Sequence, residues 1–187
     1  MDHYVDIQVR PDPEFAVNHL MSALYAKLHR ALAAQTSPAI GVSFPGVGGQ
    51  ALHLGTCLRL HGEEAALSAL LATDWLTGMR DHVTLTRPQH VPATAQHRVV
   101  RRVQVKSSPE RLRRRLMRRH NLNQQEACQR IPDDIACFTT LPFLQLRSTS
   151  TGQNFRLFIE HGPIQPNAAA GAFSAYGLSP QGTIPWF

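Results

Sequence analysis

An α+β fold is what this chain predicts, and three observations predict it. Apolar residues alternate in short runs, at Val5, Ile7 and Val9 and again at Ile40, Val42 and Phe44, which is the period of a half-buried strand. Between those runs Val17, Leu20, Met21, Leu24, Leu28 and Leu32 recur every three or four residues, the stripe of an amphipathic helix. The order strand, helix, strand then repeats before residue 90 and gives way to a second mixed segment.

Taken in order, the first strand covers Val5 to Val9. Asp12 is a candidate N-cap with Pro13 at the first helical position, so the first helix is expected to run from there to about Ala34. A second strand follows at 40–44. Pro45 to Gln50, with three glycines, reads as a loop. Leu58 and Leu60 mark a third strand. Glu63 to Leu71 reads as a short helix with acids in its first turn, and Val83 and Leu85 mark a fourth strand. The sequence β-α-β-β-α-β is the split β-α-β, or ferredoxin-like, arrangement that RNA-recognition motifs also use. The aromatic strand sequence usual in such motifs is not visible. We therefore expect a ferredoxin-like domain over 1–95, closed by a linker at 88–95.

A smaller α+β part is expected over 96–187. Val99 to Val105 alternates, with Arg102 and Gln104 on one face and Val103 and Val105 on the other. Ser108, Pro109 and Glu110 read as a helix start, and the helix continues to His120. Leu144 and Leu146, Phe155 to Ile159, and Phe173 to Tyr176 read as short strands. The apolar end Pro185-Trp186-Phe187 is expected to pack into the core.

About 43% apolar residues argues against wholesale disorder. No apolar run approaches the roughly 18 residues of a membrane span. The start Met1-Asp2-His3-Tyr4 shows no basic region followed by an apolar stretch, so no secretory signal is expected. Cys57, Cys128 and Cys137 are widely spaced, match no zinc pattern and suit a reducing, cytoplasmic compartment.

Charge is the most informative bulk property. Residues 98–119 hold ten cations and one acid, Glu110, and so carry +9. The chain's net +6 then leaves −3 for the remainder. An island of this kind points to a polyanion, nucleic acid before membrane. Within the helix 108–120, Arg111, Arg114, Arg115 and Arg118 fall within about 100° of one another. Leu112 and Leu116 form a narrow anchor on the other side. The planar guanidinium fork suits phosphate and guanine edges. A B-form major groove accepts such a helix, whereas A-form RNA admits it only near helix ends, loops or bulges. Charge alone leaves DNA and RNA open.

Residues that could do chemistry are few. There is no H-E-x-x-H, Walker loop or G-x-S-x-G, and no carboxylate cluster suited to two magnesium ions. No metal or cofactor is therefore expected. A nuclease built from these residues would use RNA's own 2′-hydroxyl as nucleophile, with histidine to take its proton. By periodicity alone His29 is a partly exposed helical histidine beside Ser22 and Tyr25. Ser148, Thr149, Ser150 and Thr151 read as turn residues that could also hold a phosphate or ribose. Phe155 reads as core or as a stacking platform.

The motifs taken together resemble a known family. M-D-H-Y-V-D-I-Q-V-R-P-D-P-E-F at the start, K-L-H at 27–29, R-L-R-R-R-L-M-R-R-H at 111–120, S-T-S-T-G-Q-N-F-R-L-F-I at 148–159, and Y-G-L-S with the terminal P-W-F are similar to CRISPR-associated repeat endoribonucleases of subtype I-F, the Csy type. The resemblance implies that His29 is the base toward the 2′-hydroxyl, that Ser148 constrains the attacking ribose, and that Tyr176 places the histidine and the scissile nucleotide. It implies that Arg102 and Gln104 read base edges at the stem's foot and that Phe155 stacks on the terminal base pair. Arg111, Arg114, Arg115, Arg118, Arg119 and His120 would grip the hairpin, with Ser150 also at the RNA. The implied substrate is a CRISPR repeat hairpin in precursor guide RNA (crRNA), cut without a metal to leave a 2′,3′-cyclic phosphate. The implied partners are the subunits of a surveillance complex, joined by a protein that is itself a monomer. Two other classes stand beside this one: a hairpin-capping subunit that does not cut, and a DNA-binding regulator.

Overall fold

The computed structural model describes residues 1–35, 40–48, 53–105, 109–132, 139–149 and 151–187. The expected helix cap Ser108 and the expected RNA contact Ser150 lie outside them, as does the side chain of Arg111. The fold is α+β, with two antiparallel sheets. By compactness, Met1–Val103 with Leu141–Phe187 form one unit and Gln104–Thr140 a second.

In the first unit, β1 (His3–Val9) is flanked by β3 (Cys57–Gly62) on one side and β4 (Val83–Leu85) on the other. β2 (Gly41–Ser43) lies outside β3, and β5 (Gln89–His90) extends the β4 edge along β1. Each helical crossover therefore skips one strand: α1 (Val17–Ala34) joins β1 to β2, and α2 (Glu64–Leu71) joins β3 to β4. Alternation decides the faces. Val5, Ile7 and Val9 are buried with Leu58 and Leu60, against Leu20, Met21, Leu24, Leu28 and Leu32 of α1 and Leu67 and Leu70 of α2. Each such side chain contributes about 1.5–3 kcal/mol on burial. On the other face Asp6 stands opposite Arg59 and accepts two hydrogen bonds from it, at 2.6 and 2.8 Å. The same guanidinium lies 4.0 Å from the Phe187 ring centroid and 4.7 Å from that of Tyr4.

Helix α1 begins later than its sequence suggests. Its N-cap is Ala16, without a side-chain cap. Asp12 instead accepts the N–H groups of Glu14 and Phe15 and closes a separate turn before the helix. Short polar side chains favour such turns as readily as helix caps.

The second sheet runs β7 (Phe143–Arg147), β8 (Asn154–Gln165), β6 (Gln96–Val103), β9 (Thr183–Trp186). The apolar C-terminal segment packs into the core through Ile184, Pro185 and, in part, Trp186, as a strand that its Pro185 conceals, whereas Phe187 lies beyond the strand and is exposed. Ile184 of β9 closes directly on Gly41 of β2. A Cβ at Gly41 would lie 2.6 Å from the Ile184 methyl, so only glycine permits the approach. Residues 173–176 form no strand and belong to a turn.

The second unit holds α3 (Pro109–His120) and α4 (Gln124–Arg130). Asn121, at φ +49°, ends α3 in the left-handed conformation that asparagine tolerates. Asn123 and Glu126 form a reciprocal capping box at the start of α4, worth about 1 kcal/mol.

Burial governs two histidines of the first unit, His61 fully enclosed and His161 partly so. His61 Nε2 lies 2.8 Å from Ser43 Oγ. His161 Nε2 accepts the N–H of Phe44 at 3.4 Å. Burial, then the nearby Arg59, pushes the His61 imidazole down to about 3. Burial and Arg98 push His161 down to about 4. Both are neutral in the fold, while the unfolded chain takes up protons near pH 6.5. Stability is thus present above that value and is lost as pH falls below it, by up to about 1.4 kcal/mol per pH unit for each group. Thermal melts should show Tm falling steadily from pH 7 to pH 5, and a Tm flat across that range would contradict the assignment.

Candidate active site and nucleic-acid interface

One face of α1 carries both Tyr25 and His29, a single helical turn apart. Each reaches the same distant turn. The Tyr25 hydroxyl donates to the Tyr176 carbonyl at 2.6 Å, and His29 Nδ1 lies 2.9 Å from the Ala175 carbonyl. A carbonyl only accepts, so Nδ1 carries the proton and Nε2 is left as the basic nitrogen. The Tyr176 ring covers the imidazole face to face, with centroids 3.9 Å apart and planes 5° from parallel. Tyr25 is fully buried, and burial raises its phenol far above the ordinary range. It is a neutral donor.

The turn that supplies those carbonyls is held by its own backbone. The N–H of Gly177 donates to the Ser174 carbonyl and the Gly177 carbonyl accepts from Val42. Gly177 sits at φ +67°, and a Cβ there would lie 2.3 Å from a Val42 methyl. Both facts require glycine.

Ser148 comes from the end of β7. Its N–H donates to the Gln153 carbonyl, its carbonyl accepts from Gly152, and its Oγ accepts the Thr151 N–H at 3.2 Å. Arg147 closes the same turn, with Nε donating to the Gly152 carbonyl at 3.0 Å. A cleft of about 260 Å³ is lined by His29, Ser148, Phe155 and Tyr176, with Ala26, Arg30, Leu146, Arg147 and Thr149. No acid lines it. The guanidinium of Arg102 lies 5.9 Å from the Phe155 centroid and 5.6 Å from that of Tyr176.

The structure therefore brings His29, Ser148, Tyr176 and Phe155 into one cleft, with Arg102 against two of its rings. Phe155 is both core and cleft wall. Gln104 falls beyond the end of β6, in the second unit. In that unit Arg114, Arg115, Arg118, Arg119 and His120 are exposed on α3, whereas Arg113 is buried and donates to the Ile131 carbonyl at 2.7 Å. One arginine of the run is thus a strut and not part of the exposed cationic surface. Arg30, Arg147 and the Tyr25 hydroxyl did not emerge from the sequence. The first two directly follow His29 and directly precede Ser148, which was the available signal.

A basic imidazole nitrogen, a hydroxyl-bearing turn, aromatic faces and unopposed cationic charge can together draw a proton from a hydroxyl beside a phosphodiester. Among the described residues, no group of three or more His, Cys, Asp or Glu side chains is gathered as metal ligands, and no helix is long and apolar enough to cross a membrane.

Comparison with known proteins adds the following. The model of the family described as CRISPR-associated protein (Cas_Csy4) matches residues 4–187. The chain is 56% identical to a Pseudomonas aeruginosa (strain UCBPP-PA14) protein named CRISPR-associated endonuclease Cas6/Csy4, over the whole of both chains. It is 47% identical to a protein of the same name from Escherichia coli (strain UTI89 / UPEC), again over the whole of both.

Replacing Gly177 by alanine should cost about 2–4 kcal/mol, from the left-handed backbone and the clash with Val42. It should also draw Ala175 away from His29. Urea unfolding measures the first effect, and an unchanged midpoint would contradict it.

Proposed function

This chain belongs to the Csy4 family of CRISPR-associated proteins, and on that premise we propose that it is an endoribonuclease that binds a CRISPR repeat hairpin and cuts precursor guide RNA at the 3′ foot of the stem. One observation carries the chemistry: the Nδ1 proton of His29 is committed to a backbone carbonyl beneath a stacked tyrosine, in the cleft that also holds Ser148. His29 Nε2 takes the proton of the 2′-hydroxyl. The 2′-oxygen forms a bond to phosphorus, the bond from phosphorus to the 5′-oxygen breaks, and the departing 5′-oxygen takes up a proton. The products are a 2′,3′-cyclic phosphate and a 5′-hydroxyl. Every atom of this exchange is supplied by RNA, imidazole and water, so the reaction proceeds in EDTA.

Ser148 restrains the attacking ribose, and Tyr176 holds the imidazole plane and the nucleotide at the cut. Phe155 stacks on the last base pair, while Arg102 and Gln104 read base edges there. Arg111, Arg114, Arg115, Arg118, Arg119 and His120 grip the stem near its end, where an A-form groove is open to a helix. Ser150 completes the contacts to the RNA. The protein acts as a monomer in the cytoplasm, keeps its product and carries it into a surveillance complex.

Incubation of a labelled subtype I-F repeat RNA in EDTA should give one cut at the stem's 3′ foot with a cyclic phosphate end. Tight binding without a cut would point to a capping subunit, and a cut only on adding magnesium would remove His29 from the role of base. His29→Ala should slow single-turnover cleavage by about 10²–10⁴-fold while leaving affinity nearly intact.

Arg115→Ala should weaken binding of the hairpin and reduce its salt slope by roughly 0.7–0.9, as loss of one phosphate contact requires. Unchanged affinity in filter binding would take α3 out of the interface.

A further inference from the structure

Three side chains on one face of α1, spaced by three and then four residues, reach backbone that belongs to other elements. Tyr25 and His29 hold the turn at 174–177. The third is Ser22, whose Oγ accepts the N–H of Gln145 in β7 at 3.1 Å. A serine inside a helix ordinarily turns its hydroxyl to solvent or back onto its own helix. Ser22 meets a sheet edge instead. Strand β7 stands at the end of its sheet, with β8 as its neighbour. The Ser148 N–H donates to the Gln153 carbonyl and the Ile159 N–H to the Pro142 carbonyl. The backbone groups of 142, 144, 146 and 148 therefore face β8, and those of 143, 145 and 147 face outward. The Gln145 N–H thus points away from β8, and Ser22 is the acceptor that α1 brings to it.

That bond matters further along both elements. From Ser22 to His29 the helix rises about 10 Å. From Gln145 to Ser148 the strand also advances about 10 Å. The two run in the same direction, because Ala26, His29 and Arg30 of α1 line the same cleft as Leu146, Arg147 and Ser148. One hydrogen bond at the foot therefore levels His29 with Ser148 at the top. We infer that Ser22 is a positioning residue for the cleavage reaction: it sets how far β7 stands along α1 and so holds Ser148 at the height of the His29 imidazole. This rests on the endoribonuclease reading, in which Ser148 restrains the ribose whose 2′-hydroxyl His29 deprotonates. Ser22 itself is not part of the cleft lining, so it acts through Ser148. The turn that receives the Nδ1 proton has its own fastenings at Tyr25 and Gly177. Loss of the Ser22 hydroxyl thus displaces Ser148 and leaves the histidine in its bond.

Single-turnover cleavage and equilibrium binding of the repeat hairpin by Ser22→Ala and Ser22→Thr test this. Alanine is a better helix former than serine, and the bond that is lost lies at an exposed position, so Ser22→Ala should melt close to wild type. Its cleavage rate should fall by about 10-fold to 10²-fold, the scale of loss for roughly an ångström of misplacement, with hairpin affinity unchanged. The pH midpoint of the rate should stay at its wild-type value while the plateau drops, because the histidine keeps its partner. Ser22→Thr retains the accepting oxygen and should recover most of the rate. Hydrogen exchange of the Gln145 amide should be slow in wild type and in Ser22→Thr, and fast in Ser22→Ala. A wild-type rate in Ser22→Ala, a loss of affinity that matches the loss of rate, a moved pH midpoint, or no recovery in Ser22→Thr would each overturn the role of Ser22, while cleavage by the wild-type protein in EDTA keeps the endoribonuclease reading standing. If the wild-type protein does not cut, that reading falls and the role of Ser22 falls with it. Should Ser22→Thr not fold, the rate, affinity and amide exchange of Ser22→Ala decide the matter alone.

Discussion

The hydrogen bond between His29 and the Ala175 carbonyl is the constraint on which the cleft depends. It joins the first helix to the last turn, across 146 positions of sequence. The carbonyl chooses the tautomer, the tautomer leaves Nε2 as the nitrogen without a proton, and the stacked ring of Tyr176 stops the imidazole from rotating out of that bond. Tyr25, one helical turn away, secures the next carbonyl. The turn is thus fastened to the helix at two successive peptides, and Gly177 lets it pass close enough to Val42 for both bonds to form. Remove the glycine, and the proton on Nδ1 loses its partner.

This explains a division of labour between the two units. In the first, charge is scarce in the core and most arginines are engaged with carboxylates, rings or carbonyls. The second spends a single arginine, Arg113, to tie its two helices together through Ile131 and leaves Arg114, Arg115, Arg118, Arg119 and Arg130 exposed. Exposed like charges on one helix repel, and an anionic partner relieves that repulsion. The helix therefore gains most from the ligand that its charge attracts.

The sequence was most legible where structure is periodic. The stripe from Leu20 to Leu32 is buried as its spacing requires, and the alternation in β1 assigns its faces correctly. Legibility fell where one local signal has two uses. Asp12 looks like a helix cap but caps a turn, and Pro185 hides a strand. Asn123 and Glu126 carry the spacing of a capping box, which would have revealed α4. The site was the least legible part. On a helical wheel His29 is an ordinary flanking residue, because its partner comes from the far end of the chain. Only resemblance to a family singled it out, together with Ser148 and Tyr176. Arg30 and Arg147 gave no periodic signal, and only the fold shows that they share a cleft.

The long span of the bond between His29 and Ala175 also governs when the enzyme can exist. While the chain is being synthesised, α1 and the first sheet can form early, and the arginine helix emerges well before the turn at 174–177. A nascent chain can therefore be attracted to RNA before it possesses a seated histidine. On the proposed reading, competence to cut arrives only once the turn at 174–177 has been made, so a chain stalled before it is a binder without a blade.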